Sequence, residues 1–331
     1  MVWPLKHQGG MEMKNKIAVI CSLGTLAALI LSSGTVLDSC KAALGLCAEL
    51  IIPSLFPFFV VSIILNRLGL PGFLARVCTP AARFLFGVSG AGSSALIMGL
   101  MGGYPLGAAY IADMHESGAI DTAEAEQLLG FCNNSGPAFI IGAVGAGVFS
   151  SAKVGLFLYG VHIAAAILTG IIIKNRSLTS SAAEPAAPSP LPFSLALPEA
   201  VKQAVTSIIN VCGFVVCFSV FVGLLDAHGI FSMLVGRIAA RTGFELHWIR
   251  ALLTGALELG SGVGAMRGLS AAPVNLALAA FILGWGGLSV HFQTLALLAG
   301  SSIKGALHFA GRLISASIAA VLAYFLGSII F

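Results

Sequence analysis

An all-α polytopic membrane protein built from two inverted repeats, each with a re-entrant hairpin and a broken transmembrane helix, is the fold class this sequence predicts. Three observations predict it. The 331 residues are 58% hydrophobic and only 9% charged, with a mean hydropathy of +1.00, whereas a soluble domain carries about 25% charged residues. Windows at 17–37, 43–65, 203–225 and 305–326 are continuously apolar and long enough to cross a hydrocarbon layer roughly 30 Å thick; their lack of alternation argues against a barrel. Finally, residues near 44–174 and 203–327 run in parallel: Gly103-Tyr104-Pro105-Leu106-Gly107-Ala108 recurs as Gly260-Ser261-Gly262-Val263-Gly264-Ala265, Phe131–Phe139 aligns with Phe281–Ser289, and Tyr159–His162 aligns with Phe309–Arg312.

The elements follow in order. Residues 1–40 hold a tail and a first membrane helix at 17–37, whose apolar run exceeds the roughly 7–15 residues of a signal core and therefore reads as uncleaved. The first repeat, 41–176, opens with a helix at 43–66 disturbed by Pro53 and Pro57. The short piece 70–87, with Arg76 and Arg83, reads as an interfacial helix. Two arms follow, 91–101 and 105–116. Each is about 16 Å long at 1.5 Å per residue, half a bilayer, so together they form a hairpin with its tip near the midplane. Residues 121–150 form a helix broken at Asn133-Asn134-Ser135-Gly136-Pro137, with Asp121-Thr122-Ala123-Glu124 as a capped start. An ordinary span covers 152–173. The Ser-, Ala- and Pro-rich stretch 177–200 reads as a solvated linker. The second repeat, 201–331, has a helix at 203–225, an interfacial piece at 229–242, and a hairpin at 249–268 with its tip at Gly260–Gly262. A helix at 272–299 is broken at Gly284–Gly287, and a last span covers 305–326. Three crossings per copy invert the second copy relative to the first.

Net charge is +4, and no basic tract is interleaved with aromatics, so nucleic acid is not an expected partner. The seven cysteines contain no CxxC pair and read as small hydrophobes. HExxH, GxSxG and P-loop patterns are missing, so neither enzymatic chemistry nor a cofactor or metal is expected.

Breaks inside a bilayer free backbone N–H and C=O groups and are tolerated where protein or a wet cavity encloses them. Two hairpin tips and two helix breaks at half depth therefore converge on one site. The candidate ligand-binding residues are Gly102, Gly103, Tyr104, Pro105, Asn133, Asn134, Ser135, Gly136, Pro137, Gly260, Ser261, Gly262, Trp285, Gly286, Gly287 and His291, with Gln293 lining the same cavity. Pro105 and Pro137 suit first helical turns whose positive ends attract anions. Asn133, Asn134 and Ser135 supply polar side chains, and Tyr104 and Trp285 supply aromatic faces. Glu258, a carboxylate in an apolar stretch, is a candidate for ion coupling or for pairing with Arg267 or Arg250. Arg267 is a candidate for charge compensation. For an isolated pair of small residues helix packing is the better account; the polar Asn-Asn-Ser-Gly-Pro cluster, paired with a break in the other copy, tips the reading toward function.

The runs at 99–118 (GLMGGYPLGAAYIADMHESG) and 131–149 (FCNNSGPAFIIGAVGAGVF) resemble the sporulation integral membrane protein YlbJ (SpoVV) family, grouped with proteins carrying a nucleoside-recognition Gate domain. The resemblance covers roughly 40–330, and the plan is also similar to that of concentrative nucleoside transporters. It implies a multi-pass protein of the bacterial cell membrane, in the outer forespore membrane, that moves dipicolinate during endospore formation through Gly102–Pro105 and Asn133–Pro137. The implied partners are a small anionic solute and the lipid bilayer. Proton or sodium coupling and homo-oligomer formation stay open. A nucleoside-like cation-coupled carrier and a non-transporting sporulation scaffold are the alternatives. The second copy departs from the pattern in having Leu283-Gly284-Trp285-Gly286-Gly287 in place of the Asn-Asn-Ser-Gly-Pro cluster.

Overall fold

The computed structural model describes residues 8–175 and 190–331, and every regular element among them is a helix. α1 is Gln8–Leu31. α2 runs unbroken over Ser33–Arg67 with a wider π-type winding at Cys47–Ile51. The first half continues with α3 (Leu70–Phe86), α4 (Gly90–Gly102), α5 (Leu106–Glu116), α6 (Thr122–Cys132), the π-wound α7 (Ala138–Val148) and α8 (Ala152–Ile172). The second half holds α9 (Phe193–Ala227), α10 (Ile230–Thr242), α11 (Leu246–Leu257), α12 (Leu259–Gly264), α13 (Pro273–Trp285), α14 (Gly287–Leu297) and α15 (Ala306–Ile330). The element order of α2–α8 is thus repeated by α9–α15.

Local chemistry sets many of the boundaries. Ser89, Asp121 and Ser151 accept from Gly92 N, Glu124 N and Val154 N and so start α4, α6 and α8. Five stretches among the described residues are long and apolar enough to span: Ser33–Arg67, Ala152–Ile172, Phe193–Ala227, Pro273–Leu297 and Ala306–Ile330. α3 meets α4 at 94° and turns Phe73, Val77 and Phe84 outward, as a helix lying in the interface does.

α9 begins at Phe193, ten residues before the expected start, so Pro198 lies within the helix. The Ser/Ala/Pro composition that reads as linker conceals a stripe at i, i+4 and i+8, Ala196, Ala200 and Ala204, all fully buried. Residues 177–189 of the expected linker lie outside the described residues.

α2 and α9 pack antiparallel: Arg67 Nε is 3.5 Å from Glu199 Oε2 at one end, and Ser32 Oγ is 3.3 Å from His228 Nε2 at the other. The helices that open the two halves therefore point in opposite directions, as inversion of the second copy requires. α15 packs on α8, α13 and α6. A β-carbon on Gly311 would fall onto the Gly130 backbone, so α15 and α6 touch main chain to main chain. Gly311→Val is expected to force them apart and cost about 3 kcal/mol, read as a lower thermal midpoint in detergent.

Candidate functional site

The four interruptions meet. At the first hairpin tip Gly103 has φ +74° and ψ −176°, and a β-carbon there would stand 2.6 Å from Gly136 N in the first helix break. At the second hairpin Gly287 packs the same way: its β-carbon would stand 2.9 Å from Leu259 N and 3.0 Å from Gly255 O. Ser135 Oγ donates to Leu283 O at 3.3 Å and ties the two breaks together. A β-carbon on Gly286 would lie 3.2 Å from the Tyr104 hydroxyl. Glycine at these positions lets backbone approach backbone.

At this junction stands a residue the expected site omitted. Arg312 of α15 is fully buried. Its Nε and Nη2 donate to Gly284 O at 2.9 and 2.7 Å, its Nη1 donates to Asn133 O at 2.7 Å and Asn134 Oδ1 at 2.8 Å, and Nη2 reaches Ser315 Oγ at 3.2 Å. Two of the acceptors, Gly284 O and Asn133 O, are main-chain carbonyls at the two helix breaks, so one planar fork satisfies both. Its carbon centre lies 5.8 Å from the Tyr104 ring. No carboxylate among the described residues lies within ion-pair distance of it, so a full positive charge is held in the core without a counter-ion. Its counterpart in the repeat, His162 of α8, accepts from Ser135 N at 3.1 Å. The signal for both was in the sequence: an ionisable side chain inside an apolar span, at matching places in the two copies.

A cavity of about 50 Å³ lies beside this junction. Gly102, Gly103, Tyr104, Ser135 and Gly136 line it from the first half, and Glu258, Gly260 and Gln293 from the second; Ile51, Leu55, Val211 and Val215 of α2 and α9 close it. A water needs roughly 10–15 Å³ on this measure, so the space suits a few waters. Tyr104 Oη and Gln293 Oε1, both buried on its wall, lack a hydrogen-bond partner among the described residues. Such orphans mark where a water or ligand bonds.

Several expected residues do other work. Asn133 is spent on structure, Oδ1 accepting from Ala108 N at 3.2 Å and Nδ2 donating to Thr294 at 2.9 Å. Asn134 Nδ2 donates to Phe131 O at 2.8 Å. Pro105 and Pro137 cap α5 and α7, which start one residue later at Leu106 and Ala138. The second hairpin turns at Glu258, not at Gly260–Gly262, because a carboxylate can cap a helix: Glu258 accepts from Gly260 N and Ser261 N and starts α12. It pairs with neither candidate arginine. Arg250 is held by Asp226 at 3.0 Å, and Arg267 is exposed on the rim of a second cavity. Gly262 packs on Gly255, and Ser261 Oγ meets Ser219 Oγ at 3.1 Å. Trp285 and His291 stand off the cavity wall. Trp285 Nε1 donates to Ala256 O at 3.1 Å, and its ring lies 4.3 Å from that of His291.

No protein-family model matches the chain. The sporulation integral membrane protein YlbJ of Bacillus subtilis (strain 168) is 30% identical over 308 residues, covering 86% of this chain and 76% of that protein. The chain belongs to the YlbJ family. A solved structure of a CNTnw variant in its intermediate 1 state has a TM-score of 0.49 and 14% identity, covering 99% of this chain and 89% of that one.

In this YlbJ-family chain, three cavities lie in file along the α2–α9 pair. A wide one of about 570 Å³, with Glu49, Ser219, Thr254, Ser261 and Arg267 on its wall, touches residues 39–50 of α2 and 219–223 of α9. The central one touches 51–55 and 211–215. A third, of about 30 Å³, touches Ser62, Ile63, Asn66 and Gln203, with Tyr110 and Asp113 opposite. Depth runs in opposite chain directions along the two helices, as their antiparallel packing dictates.

Proposed function

We propose that the chain is a secondary transporter that moves a small anionic aromatic solute, dipicolinate, across the outer forespore membrane during endospore formation, by alternating access between its two halves. Arg312 is the observation that carries this reading. A buried guanidinium without a carboxylate partner, beside a cavity with unpartnered polar groups, favours an anion. Dipicolinate is a planar pyridine dicarboxylate, so its ring suits the face of Tyr104 and its carboxylates suit the field of the positive charge, whose own donors stay on the helix breaks. At about 50 Å³ the central cavity is too small for an aromatic ring; a ring needs the hairpins to move away from α2 and α9, with the wide cavity as the side of entry.

Uptake of labelled dipicolinate into proteoliposomes tests the proposal, and the expected result is uptake well above empty vesicles. No uptake by correctly folded protein contradicts it. Uptake of uridine or adenosine instead supports a nucleoside-like carrier. Tyr104→Phe separates a transporter from a membrane scaffold. No described residue makes a hydrogen bond of good geometry to the hydroxyl, so its loss changes the thermal midpoint little, while a lost bond of about 1.4 kcal/mol to solute raises the KM about tenfold. A scaffold would leave sporulation by the variant intact.

A further inference from the structure

We propose that the His291–His308 pair is the site that takes up a proton together with the anion, an inference that rests on the transport function proposed above. His291 Nδ1 lies 3.0 Å from His308 Nε2, and His308 Nδ1 lies 3.1 Å from Leu129 O. Both rings are fully buried. A carbonyl only accepts, so His308 carries its hydrogen on Nδ1 and presents a lone pair at Nε2. With both rings neutral, His291 then donates from Nδ1, and its Nε2 is a lone pair. That Nε2 has no hydrogen-bond partner among the described residues. A buried acceptor of this kind, at the end of a two-imidazole chain, is a vacancy for one proton.

Its surroundings link that vacancy to the solute. His291 is next to Val290 and two residues from Gln293, both on the cavity wall. From α13 it is faced by Trp285, and from α15 by Phe309, which stacks on it at 4.3 Å, by His308 and by Arg312. Leu129 on α6 contributes only its carbonyl. Arg312 is the one fixed charge acting on the pair, and no carboxylate pairs with either ring among the described residues. Arg312 supplies one positive charge, and a dicarboxylate brings two negative ones. Adding a proton to His291 Nε2 gives an imidazolium that offsets the second of these, the Glu258 carboxylate on the same wall being spent on the first turn of α12, with no other bond made or broken. Like charges repel, so the proton enters with the anion and leaves with it. Binding of each must then favour binding of the other by the same factor.

The test is dipicolinate uptake by proteoliposomes with the membrane potential clamped, with and without an acid gradient directed inward. One proton per solute makes a gradient of about one pH unit support about tenfold accumulation. His291→Gln and His308→Gln are expected to lose that accumulation, while counterflow exchange persists with weaker affinity and so reports a folded carrier. Wild-type uptake indifferent to the gradient, or full gradient-driven accumulation by His291→Gln, overturns this inference and leaves the transport function standing. Wild-type protein with neither uptake nor counterflow overturns both.

Discussion

Arg312→Met abolishes solute uptake and lowers stability by about 3–5 kcal/mol, the cost of stripping one side from a buried charged network. Methionine fills the volume but leaves Gly284 O, Asn133 O, Asn134 Oδ1 and Ser315 Oγ facing a thioether. Two of these are main-chain carbonyls without helical partners, which have no alternative donor in so enclosed a place. Loss of the guanidinium therefore both loosens the contact between the two breaks and removes the charge proposed to draw the anion. Arg312→Lys separates these effects. Its ammonium retains the charge but cannot span both breaks with a planar fork, so it recovers part of the uptake and little of the stability. Thermal unfolding in detergent, run beside uptake in vesicles, checks both. A methionine variant that melts like wild type and transports at the wild-type rate contradicts the role given to Arg312.

Gly103→Ala is expected to lose about 3 kcal/mol or more and to eliminate uptake. Its backbone angles, φ +74° and ψ −176°, belong to a region that only glycine occupies without strain. A β-carbon would also stand 2.6 Å from Gly136 N and 2.9 Å from Gly136 Cα. Both neighbours are main chain, so relief requires the hairpin tip to withdraw from the helix break and opens the cavity wall between Tyr104 and Ser135. Gly118→Ala is the control for backbone strain. Gly118 also has a positive φ, +73°, but open space around its β-carbon position, and its cost stays near that of strain alone. Equal melting points for the two variants would show that the approach of tip to break has no energetic weight.

Much of this arrangement was legible in the chain. Glycine and proline inside apolar runs marked both hairpins and both breaks, because a bilayer leaves few reasons to interrupt a helix. The Asp121 cap and the short helix over Leu70–Phe86 were equally plain. Side-chain commitments were less so. Asn133 reads as a ligand donor, yet it bonds Ala108 and Thr294, and nothing local announces partners 25 and 161 residues away. Glu258 reads as a coupling carboxylate, yet it caps the helix that follows it. Gly262 reads as a turn, whereas it is the small face that lets α12 lie on α11 at Gly255. Arg312 was visible as a charge in an apolar span aligned with His162, but the helix breaks overshadowed it. Its meaning depends on carbonyls from two distant segments meeting at one guanidinium.

A density map of the protein in a lipid nanodisc with saturating dipicolinate decides whether the four interruptions together hold the solute. Ligand density is expected among Gly103, Tyr104, Ser135, Glu258 and Gln293, with a carboxylate turned toward the Arg312 side of the chamber. Ligand seated elsewhere, or the 102–105, 133–137, 258–262 and 284–287 segments separated and facing acyl chains, would contradict it.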